Sequence, residues 1–144
     1  MKAAVGFVCG LALLALGCHK TSSTTSTAAP TPTPANPSVI ETFTGTLAVD
    51  GTDIYGFSVA QYGTVDVRLA SIGGAGVPST INLNLTLGTP ATDGTCTATL
   101  TQLVKAGSAV QLTTPEQPGQ YCVTLNDPGN LFAAASFTVI VAHP

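Results

Sequence analysis

Residues 42–69 read TFTGTLAVDGTDIYGFSVAQYGTVDVRL. Phe43, Gly45 and Leu47 alternate with Thr42, Thr44 and Thr46. Tyr55, Phe57 and Val59 alternate in the same way after the turn Asp50-Gly51-Thr52-Asp53, and Val65, Val67 and Leu69 do so after Gly63. A period of two sends one set of side chains into a core and the other into solvent, which is the pattern of half-buried strands. β-Branched threonine suits the wet side of such a strand, because its stiff side chain packs well on a pleated surface.

The same pattern extends toward the C-terminus. Further strands are expected at Ile81–Leu87, Cys96–Leu103, Ala109–Leu112, Tyr121–Leu125 and Phe137–Val141. Turn-forming clusters separate them at Gly73–Ser79, Gly88–Gly94, Pro115–Gly119 and Asn126–Asn130. Short strands at this spacing, with no helical period between them, predict an all-β domain over residues 38–144. Its expected architecture is a single jelly-roll-like β-sandwich of about eight antiparallel strands.

Toward the N-terminus the pattern vanishes. Residues 21–37, TSSTTSTAAPTPTPANP, offer no large apolar side chain to bury, so residues 18–37 are expected to form a disordered, extended tether. Its Thr-Pro repeats favour polyproline II. Residues 1–18, MKAAVGFVCGLALLALGC, place Lys2 before an apolar run that ends at small Gly17 and Cys18. This is the layout of an export signal, and the run is short of the roughly 20 residues that span a bilayer. Leu14-Ala15-Leu16-Gly17-Cys18 resembles the bacterial lipoprotein signal, which implies removal of residues 1–17 and acylation of Cys18, palmitate included. Two or more chains would anchor the protein stably to a membrane. His19 is not the aspartate that retains lipoproteins at the inner membrane under the enteric sorting rule, so the expected location is the cell envelope at the outer membrane.

Composition narrows the function classes. Charged residues make up 8% of the 144, and 23 threonines stand in for them, whereas soluble domains average about 25% charged residues. Four Lys+Arg against seven Asp+Glu give a net charge of −3 without any basic run, which excludes nucleic-acid binding through phosphate contacts. Of the four cysteines, Cys9 falls in the leader and Cys18 is the lipidation site. Cys96 and Cys122 remain and are expected to form a disulfide in an oxidising compartment.

Across residues 41–142 the order of elements resembles the bacterial pre-peptidase C-terminal domain. The matching elements are Phe43-Thr44-Gly45-Thr46-Leu47, Asp53-Ile54-Tyr55-Gly56-Phe57 with Val59, Gly63-Thr64-Val65-Asp66-Val67-Arg68-Leu69, Ile81-Asn82-Leu83-Asn84-Leu85, Ala106-Gly107, Pro118-Gly119-Gln120-Tyr121-Cys122-Val123 and Phe137-Thr138-Val139. The resemblance implies a jelly-roll-like sandwich appended to other modules. Only leader and tether precede it here, so it implies no peptidase activity. Asn82 and Asn84 stand where calcium-binding relatives carry carboxylates, which argues against an ion at that strand.

The chemistry-bearing residues are few. His143 is the only histidine beyond the tether and sits one residue from the C-terminus, where a frayed, solvated side chain is expected rather than a general base. Asp50 and Asp53 are the best metal candidates, for Ca²⁺ alone, with Asp66 or Asp127 able to join them in the fold. Asp-Gly turns also form through local hydrogen bonds without any ion. Tyr55, Tyr62 and Tyr121 could offer a platform for sugars, although alternation points Tyr55 and Tyr121 toward the core. The expected protein is therefore not an enzyme. It is a lipid-anchored envelope protein whose sandwich is an interaction or structural module for an envelope protein or polysaccharide, the alternative being a glycan- or calcium-binding accessory domain.

Overall fold

The computed structural model describes residues 29–144, so the leader with Cys9, the Cys18 lipidation site and most of the tether lie outside the described residues. Residues Pro32–Pro144 form one compact unit. It holds the eight expected strands: β1 (Val39–Leu47), β2 (Thr52–Val59), β3 (Gly63–Gly73), β4 (Leu83–Pro90), β5 (Cys96–Val104), β6 (Leu112–Glu116), β7 (Gly119–Asn126) and β8 (Ala135–His143). They form two four-stranded sheets, ordered β1-β8-β3-β6 and β2-β7-β4-β5, with every pairing antiparallel. Four of these pairings are nested: β1 with β8, β2 with β7, β3 with β6 and β4 with β5. The chain is thus one long hairpin whose arms switch sheets together, the jelly-roll arrangement.

The alternation read from residues 42–69 sets the two faces. Leu47, Val65, Val67 and Leu69 from the first sheet meet Leu83, Leu85, Leu87, Val123 and Leu125 from the second, all 0–1% exposed. Tyr55 stacks on Phe43 at 4.9 Å between ring centres and meets Phe137 edge-on at 6.1 Å, closing the side of the sandwich where β1 and β2 lie. Gly45 makes room for this cluster, because a Cβ there would run into the Tyr55 hydroxyl and the Phe137 ring.

The fold of the long hairpin is the Ala91–Thr95 turn. Gly94 takes a positive φ of 84°, the Ala91 amide donates to the Thr95 carbonyl at 2.8 Å, and Asp93 Oδ1 accepts both the Thr95 amide (2.9 Å) and hydroxyl (2.6 Å). The hydrogen bonds from the Thr95 hydroxyl and amide hold the Asp93 carboxyl below the usual carboxylate range.

Just beyond the turn, β5 carries the feature that makes the disulfide possible. Leu100 pairs with Leu87 but Ala98 pairs with the next residue, Gly88, so Thr99 is an extra, bulged residue. Leu87 and its partner Leu100 face the core side. Without the bulge Cys96 would share that side. The extra residue reverses the parity and turns Cys96 outward, the side on which Cys122 lies between core-facing Tyr121 and Val123. The two cysteines are bonded, with Cα atoms 5.9 Å apart. Gly88 pairs with both Cys122 and Ala98, and a Cβ on it would collide with the Thr97 carbonyl oxygen, so β5 comes close only because this residue is glycine.

Two expectations need correction. The sixth strand is displaced from Ala109–Leu112 to Leu112–Glu116 and runs through Pro115, the first residue of the expected Pro115–Gly119 turn. Proline is tolerated because β6 is an edge strand, where one side of the ladder needs no donor. His143 is also not frayed. It pairs with Val39 at the end of β8, its carbonyl accepts the Ser38 amide at 3.0 Å, and its side chain is buried. The imidazole packs on Phe57 at 5.4 Å, with Nε2 3.0 Å from Glu41 Oε1 and Nδ1 3.2 Å from the Pro144 carbonyl oxygen. The end of the tether is held in the same region. The Ala35 amide donates to Tyr62 and its carbonyl accepts the Thr64 amide, forming a parallel bridge with Gly63.

Replacing Gly88 by alanine should push β5 off β4 at Thr97 and separate Cys96 from Cys122. Mass spectrometry without reductant should then find free or mispaired thiols. The melting temperature should fall toward that of the C96A/C122A double variant, which is expected to lose about 3–4 kcal/mol for a closed loop of this length. A Gly88→Ala protein with an intact disulfide and an unchanged melt would contradict this account of β5.

Candidate functional site

The turn proposed for calcium lies at one end of the sandwich, where the β1–β2 turn and the β7–β8 loop meet. Asp127 organises both. Its Oδ1 accepts the amides of Gly129 (3.1 Å), Asn130 (2.7 Å) and Leu131 (3.1 Å), and its Oδ2 accepts the Asp50 amide at 2.9 Å. The Asp127 amide in turn donates to the Gly51 carbonyl at 3.0 Å. Asn126 adds Nδ2 donors to the Gly51 carbonyl and the Thr52 hydroxyl and accepts Asn84 Nδ2, while Asn130 Nδ2 reaches the Asn82 carbonyl at 2.8 Å. These short amide and carboxylate side chains satisfy loop backbone that would otherwise lack partners beside the core.

The expected calcium ligands do not come together. Asp127 does approach Asp50, but through the Asp50 amide, and its carboxylate is occupied by backbone donors. Asp50 adopts a φ of 53° to form the turn, with its side chain exposed. Asp53, paired with core residue Leu125, shares the inward side of β2 with Tyr55 and Phe57. Its Oδ2 is buried without a hydrogen-bond partner. Asp66 sits on the outer face of the other sheet. Among the described residues no three His, Cys, Asp or Glu side chains group closely enough to hold an ion. The turn is built by its own hydrogen bonds, with the Asp127 carboxylate committed to backbone amides.

Electrostatics follow from this geometry. Burial pushes the Asp127 carboxyl up, but the amides of Asp50, Asn130, Leu131 and Gly129 together outweigh it and hold the group below its ordinary value. Burial, and then the negative charge of Asp53, raise the Tyr55 phenol. Tyr121 is raised by burial and then by Glu116, and its hydroxyl donates to the Gln117 carbonyl at 2.9 Å. Tyr121 belongs to the core, and Tyr55 packs partly buried against it with its ring stacked on Phe43.

The loop that Asp127 holds also displays a residue that strand alternation could not single out. Leu131 is buried at 3% exposure, while its neighbour Phe132 is 92% exposed, the highest value among the large hydrophobics described. Val49, in the adjoining turn, is also exposed. The sequence signal was an apolar Leu-Phe pair directly after the Asn126–Asn130 turn cluster, where only a polar loop is needed. A second apolar feature lies near the other end, on the outer face of the β1-β8-β3-β6 sheet. It is a depression of about 150 Å³ lined by Ile40, Val110, Ile140 and Ala142, with Asp66 and Arg68 beside them.

Asp127→Ala would leave several loop amides without acceptors and should destabilise the protein by roughly 3 kcal/mol. The pH dependence has a definite sign. Because the folded carboxyl titrates below its unfolded value of about 3.9, its contribution is present above that pH and disappears as pH falls through the folded value. Chemical denaturation of the wild-type and Asp127→Ala proteins should therefore show a gap at pH 7 that narrows below about pH 4. A gap independent of pH would contradict the role given to this carboxylate.

No known protein family matches the chain, and no curated protein matches it either. Among solved structures the chain is similar to the Yersinia pseudotuberculosis-derived mitogen, with a TM-score of 0.51 and 11% identity over 75% of this chain and 87% of that one. At that identity the likeness is one of fold, and it agrees with the all-β sandwich described above.

Proposed function

We propose that this protein is a non-enzymatic, lipid-anchored component of a bacterial cell envelope whose jelly-roll sandwich acts as an interaction or structural module. The observation that carries the reading is the polarity of the compact unit. The chain enters at Ala35–Val39, and the loops that display Phe132 and Val49 lie at the opposite end of β1. Nine residues of strand separate the two ends, roughly 27 Å at the usual rise. A leader resembling a lipoprotein signal and a Pro/Thr-rich tether stand before the entry point, so a leash at one end would present the loops at the other. The surface chemistry supports this reading, since exposed threonines such as Thr42, Thr44 and Thr46 of β1 offer hydroxyl contacts along the outer face.

Lipidation at Cys18 is the decisive step in this reading. Cells expressing the full chain and fed labelled palmitate should yield labelled protein in the membrane fraction. A Cys18→Ser variant should lose the label and shift to the soluble envelope fraction or remain as unprocessed precursor. Intact-mass measurement of a protein that retains residues 1–17, or carries no acyl chains on Cys18, would refute the anchor.

A further inference from the structure

We infer that β5 is an open edge that pairs antiparallel with β5 of a second copy of this chain, joining the two β2-β7-β4-β5 sheets into one. The edge strands are not equally guarded. β6 is five residues long and carries Pro115 and Glu116, while β1 and β2 turn a carboxylate, Glu41 and Asp53, toward the inner side, where buried Val141 and Leu125 are their ladder partners. Short length, proline and inward charge keep a sheet edge from recruiting another strand. β5 has none of these. Residues 95–104, TCTATLTQLV, hold no charge, proline or glycine, and Thr97 to Leu103 are exposed on both faces. Among the described residues no other segment bonds to the backbone along its free side.

Charge and register select the partner. The charges nearest to this neutral stretch are Asp93 before it and Lys105 after it, both exposed, and among the described residues neither enters an ion pair. An antiparallel self-pair brings opposite ends together, so each Lys105 arrives at the Asp93 of the other copy and the contact repeats about a two-fold axis. Hydrogen bonds from the Thr95 amide and hydroxyl hold that carboxylate in place. The bulge sets the register. Leu100, Gln102 and Val104 share the inner side with their buried partners Leu87, Leu85 and Leu83, whereas beyond the extra residue Thr99 it is Thr97 that lies inward, with Ala98 and Cys96 outward. Inner residues must meet inner residues across the new pair. An axis between Thr99 and Leu100 achieves this, setting Gln102 opposite Thr97 on the inner side, and Thr101 opposite Ala98 and Leu103 opposite Cys96 on the outer. Lys105 then lies opposite Gly94, next to Asp93. The two bulges coincide at the axis and interrupt the new ladder once. Main-chain hydrogen bonds supply the affinity of such strand additions, and the exposed side chains of Leu100 and Leu103 lose water on pairing.

The axis turns one copy end over end, an arrangement open to the full chain in detergent, where sedimentation should show a monomer–dimer equilibrium. Thr99→Lys sets two lysines beside each other at the axis and should weaken dimerisation roughly tenfold. If that protein does not keep the wild-type circular dichroism, Leu103→Lys on the exposed outer side takes its place. At position 105 the wild type should associate most tightly, Lys105→Gln less so, and Lys105→Glu roughly tenfold more weakly than the wild type. A Leu103→p-benzoylphenylalanine protein should give crosslinked dimers joined to residues 94–98 of the second copy. A protein that stays monomeric, association that the added lysine leaves unchanged, position-105 variants of equal strength, or crosslinks to lipid, to another protein or to a different face would each overturn the inference.

Discussion

The close approach of β5 to β4 at Gly88 governs more of this structure than any single side-chain contact. It lies just beyond the turn at which the chain doubles back, within the innermost of the four nested pairings. The missing Cβ lets the Thr97 carbonyl come close, the bulge at Thr99 turns Cys96 outward, and the bond to Cys122 then ties the outermost strand of the second sheet to β7 across β4. β5 needs such a tie. Apart from Val104 its side chains are exposed or only partly covered, so core packing contributes little to holding it.

Much of the sandwich was legible because half-buried strands have an exact period. Phe57, Val59, Val65, Val67 and Leu69 were placed inward by alternation alone, and they are inward. Alternation fails where something outside the strand decides the outcome. β6 begins three residues and ends four residues later than its apolar residues suggest, because its register is set by pairing with β3 from Gly63 to Val67 and an edge position tolerates Pro115. His143 looked terminal and solvated, yet β1 supplies a ladder partner and Glu41 a polar one. Neither partner lies within a hundred residues of it in the chain, so no local pattern could reveal them. The pairing of Cys96 with Cys122 was expected from compartment and count, whereas the bulge that permits it leaves no mark in the hydrophobic pattern.

The candidate site was legible in a different proportion. The Asp50–Asp53 turn stood out in the sequence as a pair of carboxylates suited to Ca²⁺, and in the structure it is bound to the β7–β8 loop through backbone hydrogen bonds. Asp127 makes the difference. A carboxylate already accepting several amides has its lone pairs committed, and it serves as the centre of a loop rather than as a ligand. What the loop gains is shape, and shape is what allows Phe132 to stand exposed while Leu131 beside it is buried.

The way the chain enters and leaves the compact unit has a mechanical meaning. β1 begins beside the end of β8, with Ser38 and Val39 joined to His143, and all nine residues of β1 are paired along β8. A pull on the N-terminal segment, resisted by whatever holds the far loops, acts along the strand axis. Interstrand hydrogen bonds lie across that axis, so the load falls on the whole ladder in shear rather than opening it one rung at a time. A domain arranged in this way is suited to bearing tension between its point of entry and its opposite end.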